Sequence, residues 1–302
     1  MSIPSSLAPF LHPADRYPGI VTHTGILHLD GIDLYVEHHL GAAADPHAIP
    51  LLALHGVGGS SAQLWPEITR IGQDRPVIAL DFRGHGRSTR PAAYTLDDHV
   101  ADALAVVAAF ELSRFAVLGY SMGSYVAPGV ARATRPGSAA AEAVGLIAAV
   151  SRLDGKVSGT VALMQRRAAD FAGVEPERVR EVLAGFLHSP SASAAALQRV
   201  REFTDIPGHP ELELSPEQYE LANAALAGFD NSGVYADLDL PVLVISGADD
   251  ELNPPAEGAR VARAAEGAQF VTVPGAGHLM SVERPDEYTE PIRRFLNGLG
   301  HP

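Results

Sequence analysis

Chemistry in this chain centres first on Ser121, within Gly119-Tyr120-Ser121-Met122-Gly123, a match to G-x-S-x-G. Phe115-Ala116-Val117-Leu118 before it is a short apolar run of strand type, and Tyr125, Val126, Gly129, Val130 and Ala133 after it recur at helical spacing. A strand that passes into a helix through one residue forces a tight, strained turn at Ser121, and small flanking residues let the two elements approach. The hydroxyl would then stand at the C-terminal edge of a sheet, beside a helix N-terminus whose N–H groups and dipole stabilise a developing oxyanion. Alone the pentapeptide is weak, with roughly 0.2 chance matches expected at this chain's Gly and Ser frequencies. A Gly-rich turn with no chemistry explains it equally well unless partners exist.

A serine hydroxyl is a poor nucleophile at neutral pH and needs a base within hydrogen-bond reach, which in turn needs an orienting acid. Of the thirteen histidines, His278 follows a strand-like run on the Gly-rich loop Gly275-Ala276-Gly277. Another strand-end loop, Gly247-Ala248-Asp249-Asp250-Glu251-Leu252-Asn253-Pro254, offers two aspartates. The order Ser, Asp, His along the chain is the one associated with a nucleophile elbow on an α/β sheet. Asp154, just after another strand, is a further candidate acid.

These residues need a sheet to bring them together. Residues 1–19 read as an irregular arm, and Ile20–Leu40 as a hairpin turning at Asp30-Gly31, at an antiparallel sheet edge. Continuous apolar runs at 49–54, 77–80, 115–118, 144–150 and 240–245 read as parallel strands with helices between them, and Gln269–Val273 adds the last strand. Thr95-Leu96-Asp97-Asp98 has the form of a capping box opening a helix to about Glu111. The alternation breaks at Ser151. From 151 to 239 the chain is Ala/Arg/Glu-rich, helical in period and punctuated by Pro176, Pro190, Pro207, Pro210 and Pro216, with no strand pattern. The expected organisation is a core from 1–150 and 240–302, closed by a helix over 285–299 that Pro291 interrupts, with 151–239 a helical cap inserted into it. Pro128 should kink the helix after Ser121, and Arg135–Glu142 is a long connection.

Composition narrows the function classes. Net charge is −14, which opposes binding to nucleic acid or an anionic membrane, since both need a basic face. With no cysteine in the sequence there is no disulfide framework, thiolate metal site or cysteine nucleophile. Hydrophobic content of 46% supports a large core. The Pro-broken N-terminus lacks a signal-peptide pattern, and no apolar run is long enough to span a bilayer, so the expectation is a soluble, cytoplasmic protein.

The chain resembles a capped α/β-hydrolase over nearly its whole length, on HGVGG at 55–59, DFRGHGRS at 81–88, GYSMG at 119–123, GADDELNP at 247–254 and GAGH at 275–278. The fold implied is a mostly parallel sheet covered by helices on both faces, with a helical lid. In related sequences the acid lies three residues after the motif glycine and four before the proline, which selects Asp250 over Asp249. The resemblance implies Ser121, His278 and Asp250 as catalytic residues, the N–H groups of Val57 and Met122 as oxyanion hole, and no cofactor or metal. The plainer reading of His55 is a histidine fixing its loop, and of Asp81, Arg83 and His85 a set of bonds within their own Gly-rich turn. His38 and His39 point to opposite sheet faces. Arg166, Arg167, Arg178 and Arg180 read as a solvated helix face.

A serine at the nucleophile position argues against epoxide hydrolase and haloalkane dehalogenase chemistry, both of which use Asp there. The expected reaction is hydrolysis of a carboxylic ester or lactone of a hydrophobic small molecule, with no nucleic-acid or membrane partner. Thioester hydrolysis, perhydrolysis, cleavage of a C–C bond in an acidic dienoate, and a non-enzymatic ligand receptor are the alternatives. Gly56, Trp65, Leu163, Met164, Phe186 and Met280 are the expected substrate-pocket residues, with Phe171, Leu187, Phe203 and Phe229 as further lid candidates, although most such apolar lid residues would pack only on each other.

Overall fold

The strands include short aliphatic runs, as at 51–54 and 77–80, and more polar stretches, as at 11–17. In the computed structural model, which describes residues 3–135, 138, 141–175, 178–204 and 212–300, they are β1 (Leu11–Tyr17), β2 (Ile20–Leu29), β3 (Ile32–Gly41), β4 (Leu51–Leu54), β5 (Val77–Leu80), β6 (Arg114–Tyr120), β7 (Glu142–Ala149), β8 (Asp154–Gly155), β9 (Phe229–Asp230), β10 (Val242–Gly247) and β11 (Gln269–Val273). Nine form one sheet in the order β1-β2-β3-β5-β4-β6-β7-β10-β11, while β8 and β9 pair only with each other. The β1–β2, β2–β3 and β3–β5 pairs are antiparallel and the remaining five pairs of the large sheet are parallel.

Strand alternation gives the sheet two apolar faces. Leu52, Leu54, Ile78, Leu80 and Val117 point into one core, shared with α2 (Leu96–Ala109) and α3 (Met122–Ala133). Leu51, Ala53, Val77, Ala79 and Leu118 point into the other, against α1 (Trp65–Ile71) and the C-terminal helix over Pro285–Gly298. Each such Leu or Val, fully removed from water, contributes about 1.5–3 kcal/mol before entropy is counted. Thr95 and Asp98 form the reciprocal capping box that opens α2. Between β8 and β10 the described residues form α4 (Gly159–Arg166), α5 (Ala168–Phe171), α6 (Val179–Ala184), α7 (Ala194–Thr204), α8 (Pro216–Ala224) and α9 (Ser232–Ala236), and α10 (Pro255–Ala264), α11 (Met280–Glu283) and α12 (Pro285–Gly298) follow. No helix among the described residues is long and apolar enough to cross a membrane.

Three local expectations change. Part of the arm over 1–19 is a strand, β1, which sits at the sheet edge with an irregularity between Ala14 and Tyr17. Pro13 is tolerable there because an edge strand pairs on one side only. The stretch 151–239 holds the two-residue β8–β9 ladder, too short to leave an alternating signature. Pro291 does not interrupt α12, whose buried stripe of Tyr288, Ile292, Phe295 and Leu296 holds it together across the lost backbone bond. Pro128 lies inside α3, which runs from Met122 to Ala133. Pro176, Pro207, Pro210 and part of the Arg135–Glu142 connection lie outside the described residues.

The strand order places the site. β5 lies on one side of β4 and β6 on the other, so the loops leaving the C-terminal ends of β4 and β6 diverge and open a crevice between them.

Candidate active site

Ser121 stands where β6 becomes α3, with φ 53° and ψ −115°, a left-handed conformation that costs a non-glycine residue free energy and persists only under surrounding constraint. The constraints are visible. Ser121 donates its N–H to Ala149 O at 3.0 Å, Gly123 N–H bonds His55 O at 3.1 Å, and Ser124 Oγ donates to Ser121 O at 2.5 Å. A Cβ on Gly123 would stand 2.7 Å from the Leu54 carbonyl carbon, so only glycine lets the helix lie against β4.

The base and acid reach Ser121 from two later loops. His278 Nε2 is 3.0 Å from Ser121 Oγ, and His278 Nδ1 is 2.9 Å from Asp250 Oδ2. Asp250 Oδ1 accepts the N–H groups of Leu252 at 2.8 Å and Asn253 at 2.9 Å. Those two bonds fix the carboxylate so that its other oxygen faces the ring. The Nδ1–H then donates to Asp250, which leaves the Nε2 lone pair toward the serine hydroxyl. All three residues are buried. Asp249 is engaged elsewhere, accepting Ser189 Oγ at 2.6 Å, and Asp154 pairs with Arg260. Of the three candidate carboxylates, the structure sets Asp250 against His278.

The facing wall is the loop after β4. His55 accepts the Phe82 N–H on Nε2 at 3.0 Å and bonds Gly56 O through Nδ1 at 2.7 Å. Burial pushes its pKa down to about 4, partly offset by the Gly56 bond, so the ring is neutral and tethers the loop. A Cβ on Gly56 would lie 3.2 Å from Ser121 Cβ, which puts the following residue, Val57, beside the serine. Met122 is the first residue of α3, so its N–H has no acceptor within the helix. Asp81 holds the neighbouring turn by accepting Ser61 N–H at 2.6 Å and Arg87 N–H at 2.9 Å. Arg83 ties that turn to Asp98 and Asp102 of α2.

A cavity of about 300 Å³ opens over Ser121, with His55, Gly56, Val57, Tyr120 and His278 on its sheet side. Thr160, Leu183, Leu187, Phe203 and Tyr219 come from the segment between β8 and β9 and form the opposite wall. Gly56 is therefore on the wall as expected, and Leu187 and Phe203 of the further lid candidates join it. Trp65, Leu163, Met164, Phe186 and Met280 are not. Met280 is fully buried in the sheet core, Trp65 packs with Val200 and Phe203, and Leu163 sits under Leu183 and Leu252 with Met164 and Phe186 against it. Phe171 packs near Phe186, and Phe229 stacks on Tyr125. Choosing wall residues by hydrophobicity selects core residues as readily. Tyr120 and Tyr219 are among the lining residues that the sequence did not mark. Tyr120 donates its hydroxyl to His278 O at 2.5 Å, and its signal was an aromatic inside the pentapeptide. Tyr219 covers Gly58, where an added Cβ would meet its ring at 2.8 Å, and nothing local in the sequence marks it. His38 and His39 do face opposite ways, His38 stacking on Phe110 and His39 bonding Thr22 and Glu37.

A nucleophile elbow on a mostly parallel, doubly covered sheet, met by a histidine and a carboxylate from two later strand ends, defines a hydrolase architecture. The model of the alpha/beta hydrolase family matches residues 51–290, and the chain belongs to that family. It is 25% identical over 254 residues to (E)-2-((N-methylformamido)methylene)succinate hydrolase of Acinetobacter baylyi, spanning 82% of this chain and 90% of that protein. Among solved structures it is similar to a thermophilic esterase from Thermogutta terrifontis, with TM-score 0.70 and 25% identity over 90% of this chain and 95% of the other. The enol-lactonase from Burkholderia xenovorans shares the fold, with TM-score 0.72 at 20% identity over 90% and 99% of the two chains.

Proposed function

We propose that this hydrolase cleaves a carboxylic ester or lactone of an uncharged small molecule through an acyl-enzyme on Ser121. The observation that carries the reading is the unbroken row of hydrogen bonds from Asp250 through His278 to Ser121. Ser121 Oγ attacks the acyl carbonyl as His278 Nε2 takes its proton, and Asp250 stabilises the resulting imidazolium. The N–H groups of Val57 and Met122 receive the oxyanion. His278 then returns the proton to the leaving alkoxide, and a water activated by the same nitrogen releases the acid. Residues 151–239 act as the lid over this site and supply the part of the wall that selects substrate.

The cavity's chemistry supports a neutral substrate. Among the described residues lining it, Glu181 is the one Asp, Glu, Lys or Arg, and it bonds Arg178 at 3.1 Å. The Acinetobacter relative is named for a succinate, and a dicarboxylate would need a cation that the described residues of this wall lack. The same absence weighs against C–C cleavage of an acidic dienoate. The esterase-like reading is tested by multiple-turnover hydrolysis of p-nitrophenyl esters and simple lactones. Activity lost in Ser121→Ala supports it, while a single burst or no turnover points to a receptor.

A further inference from the structure

A buried carboxylate outside the row joins the base loop to the proposed lid. Glu283, the last residue of α11, is 2% exposed. Its Oε1 accepts the N–H of Gly277 at 2.9 Å, and its Oε2 accepts the N–H of Ser189 at 2.7 Å. Gly277 immediately precedes His278. Ser189 lies just past Leu187, which lines the cavity and accepts the N–H of Leu279 at 3.0 Å. The segment 187–189 is thus stitched to the main chain on both sides of His278.

The two backbones also touch. A Cβ on Gly277 would stand 2.6 Å from the His188 carbonyl carbon and 2.8 Å from Ser189 N. The carboxylate is itself held in place. Glu283 N–H bonds Leu279 O at 3.0 Å, and Arg199 of α7 donates to Val282 O at 2.7 Å and Glu283 O at 3.0 Å. Burial pushes the Glu283 carboxyl up, against the opposing pull of the Ser189 and Gly277 bonds. Without an acceptor here, two buried N–H groups would be left unpaired, which is more costly than the loss of an ordinary bond.

We propose that Glu283 is a positioning residue that fixes the main chain carrying His278 and locks segment 187–189 to it, so that movement of the lid is transmitted to the base. The kinetic half of this proposal rests on the reading of His278 as the base; the mechanical half does not. The test uses the full chain and two substitutions, Glu283→Gln, which keeps the shape and turns one acceptor into a donor, and Glu283→Ala, which removes both acceptors. Amide hydrogen exchange is followed in peptides covering 185–192 and 274–280, with β6 as the internal reference. Exchange in both segments is expected to quicken together by about tenfold or more, with β6 unchanged. With p-nitrophenyl acetate, kcat per folded molecule is expected to fall between about tenfold and a hundredfold while KM moves less than about twofold. Exchange that quickens in one segment only, or in neither, overturns the coupling. An unchanged kcat in a folded, active variant overturns the positioning role whatever the exchange shows. Should Glu283→Ala fail to fold, Glu283→Gln carries the test. A wild-type protein that turns over no ester counts against the esterase reading, and the exchange result still decides whether Glu283 holds the two segments together.

Discussion

Three side chains from loops separated by 129 and 28 positions meet within hydrogen-bond distance, and each makes a different demand on its surroundings. Ser121→Ala removes the nucleophile and leaves the elbow's backbone bonds in place, so kcat/KM for an activated ester is expected to drop at least about 10⁴-fold with the melting temperature little changed. Asp250→Asn offers the ring an amide in place of a carboxylate, which disfavours the productive tautomer and is expected to cost about 10⁴ in kcat. Asp249→Asn, which disturbs only the Ser189 contact, is expected to cost less than about tenfold; steady-state kinetics on the pair checks the order. Ser121 and His278 were legible because covalent chemistry restricts both residue type and local sequence. Asp250 was separable from Asp249 in sequence only through family spacing, whereas the structure separates them by which oxygen faces the imidazole. Pocket side chains were the least legible. Gly56 lines the cavity beside Ser121, but Leu163 and Met280 are as apolar as a pocket wall and are simply core.

At the level of elements, the central parallel strands and α2 were readable because burial on two faces and a capping box leave strong local patterns. β1 was not, since edge pairing asks for backbone bonds rather than alternating side chains, and Pro13 hid it. α1 carries a feature no local pattern reveals. Glu67, 1% exposed, bonds Tyr288 of α12 at 2.7 Å, 221 residues away, and its second oxygen has no partner among the described residues. Burial pushes its pKa up from 4.5 to about 7, against the Tyr288 bond. The folded state therefore holds its proton where the unfolded chain has released it. Its contribution to stability is complete below pH 4.5 and is lost as pH rises from there through about 7, a total on the order of 3 kcal/mol. Glu67→Gln stays neutral throughout. The variant is expected to gain stability relative to wild type as pH rises from 5 to 8, and urea midpoints across that range check it; a constant difference would show that Glu67 does not titrate in the folded state.

For the molecule as a whole, sheet order, strand-end loops and the segment between β8 and β9 converge on a cavity of about 300 Å³, at the lower end of small-ligand sites. A wall without arginine or lysine among its described residues should exclude acids. Matched substrates, a neutral phenyl alkanoate and its ω-carboxylate analogue, are expected to differ in kcat/KM by about a hundredfold or more in favour of the neutral one; equal rates would contradict a cavity selective for uncharged groups. The sequence could mark 151–239 as a candidate lid but not which of its residues would face the cavity, because which side of a short helix faces a cavity depends on elements far away in the chain. The central claim, that His278 and Asp250 activate Ser121 for attack on an electrophile, is tested most directly by covalent labelling with a fluorophosphonate read by intact mass and peptide mapping. One adduct on Ser121 is predicted, absent in Ser121→Ala and formed at least about a hundredfold more slowly in His278→Ala. A folded wild-type protein that takes no label, or takes it at another residue while still turning over ester, would contradict the account.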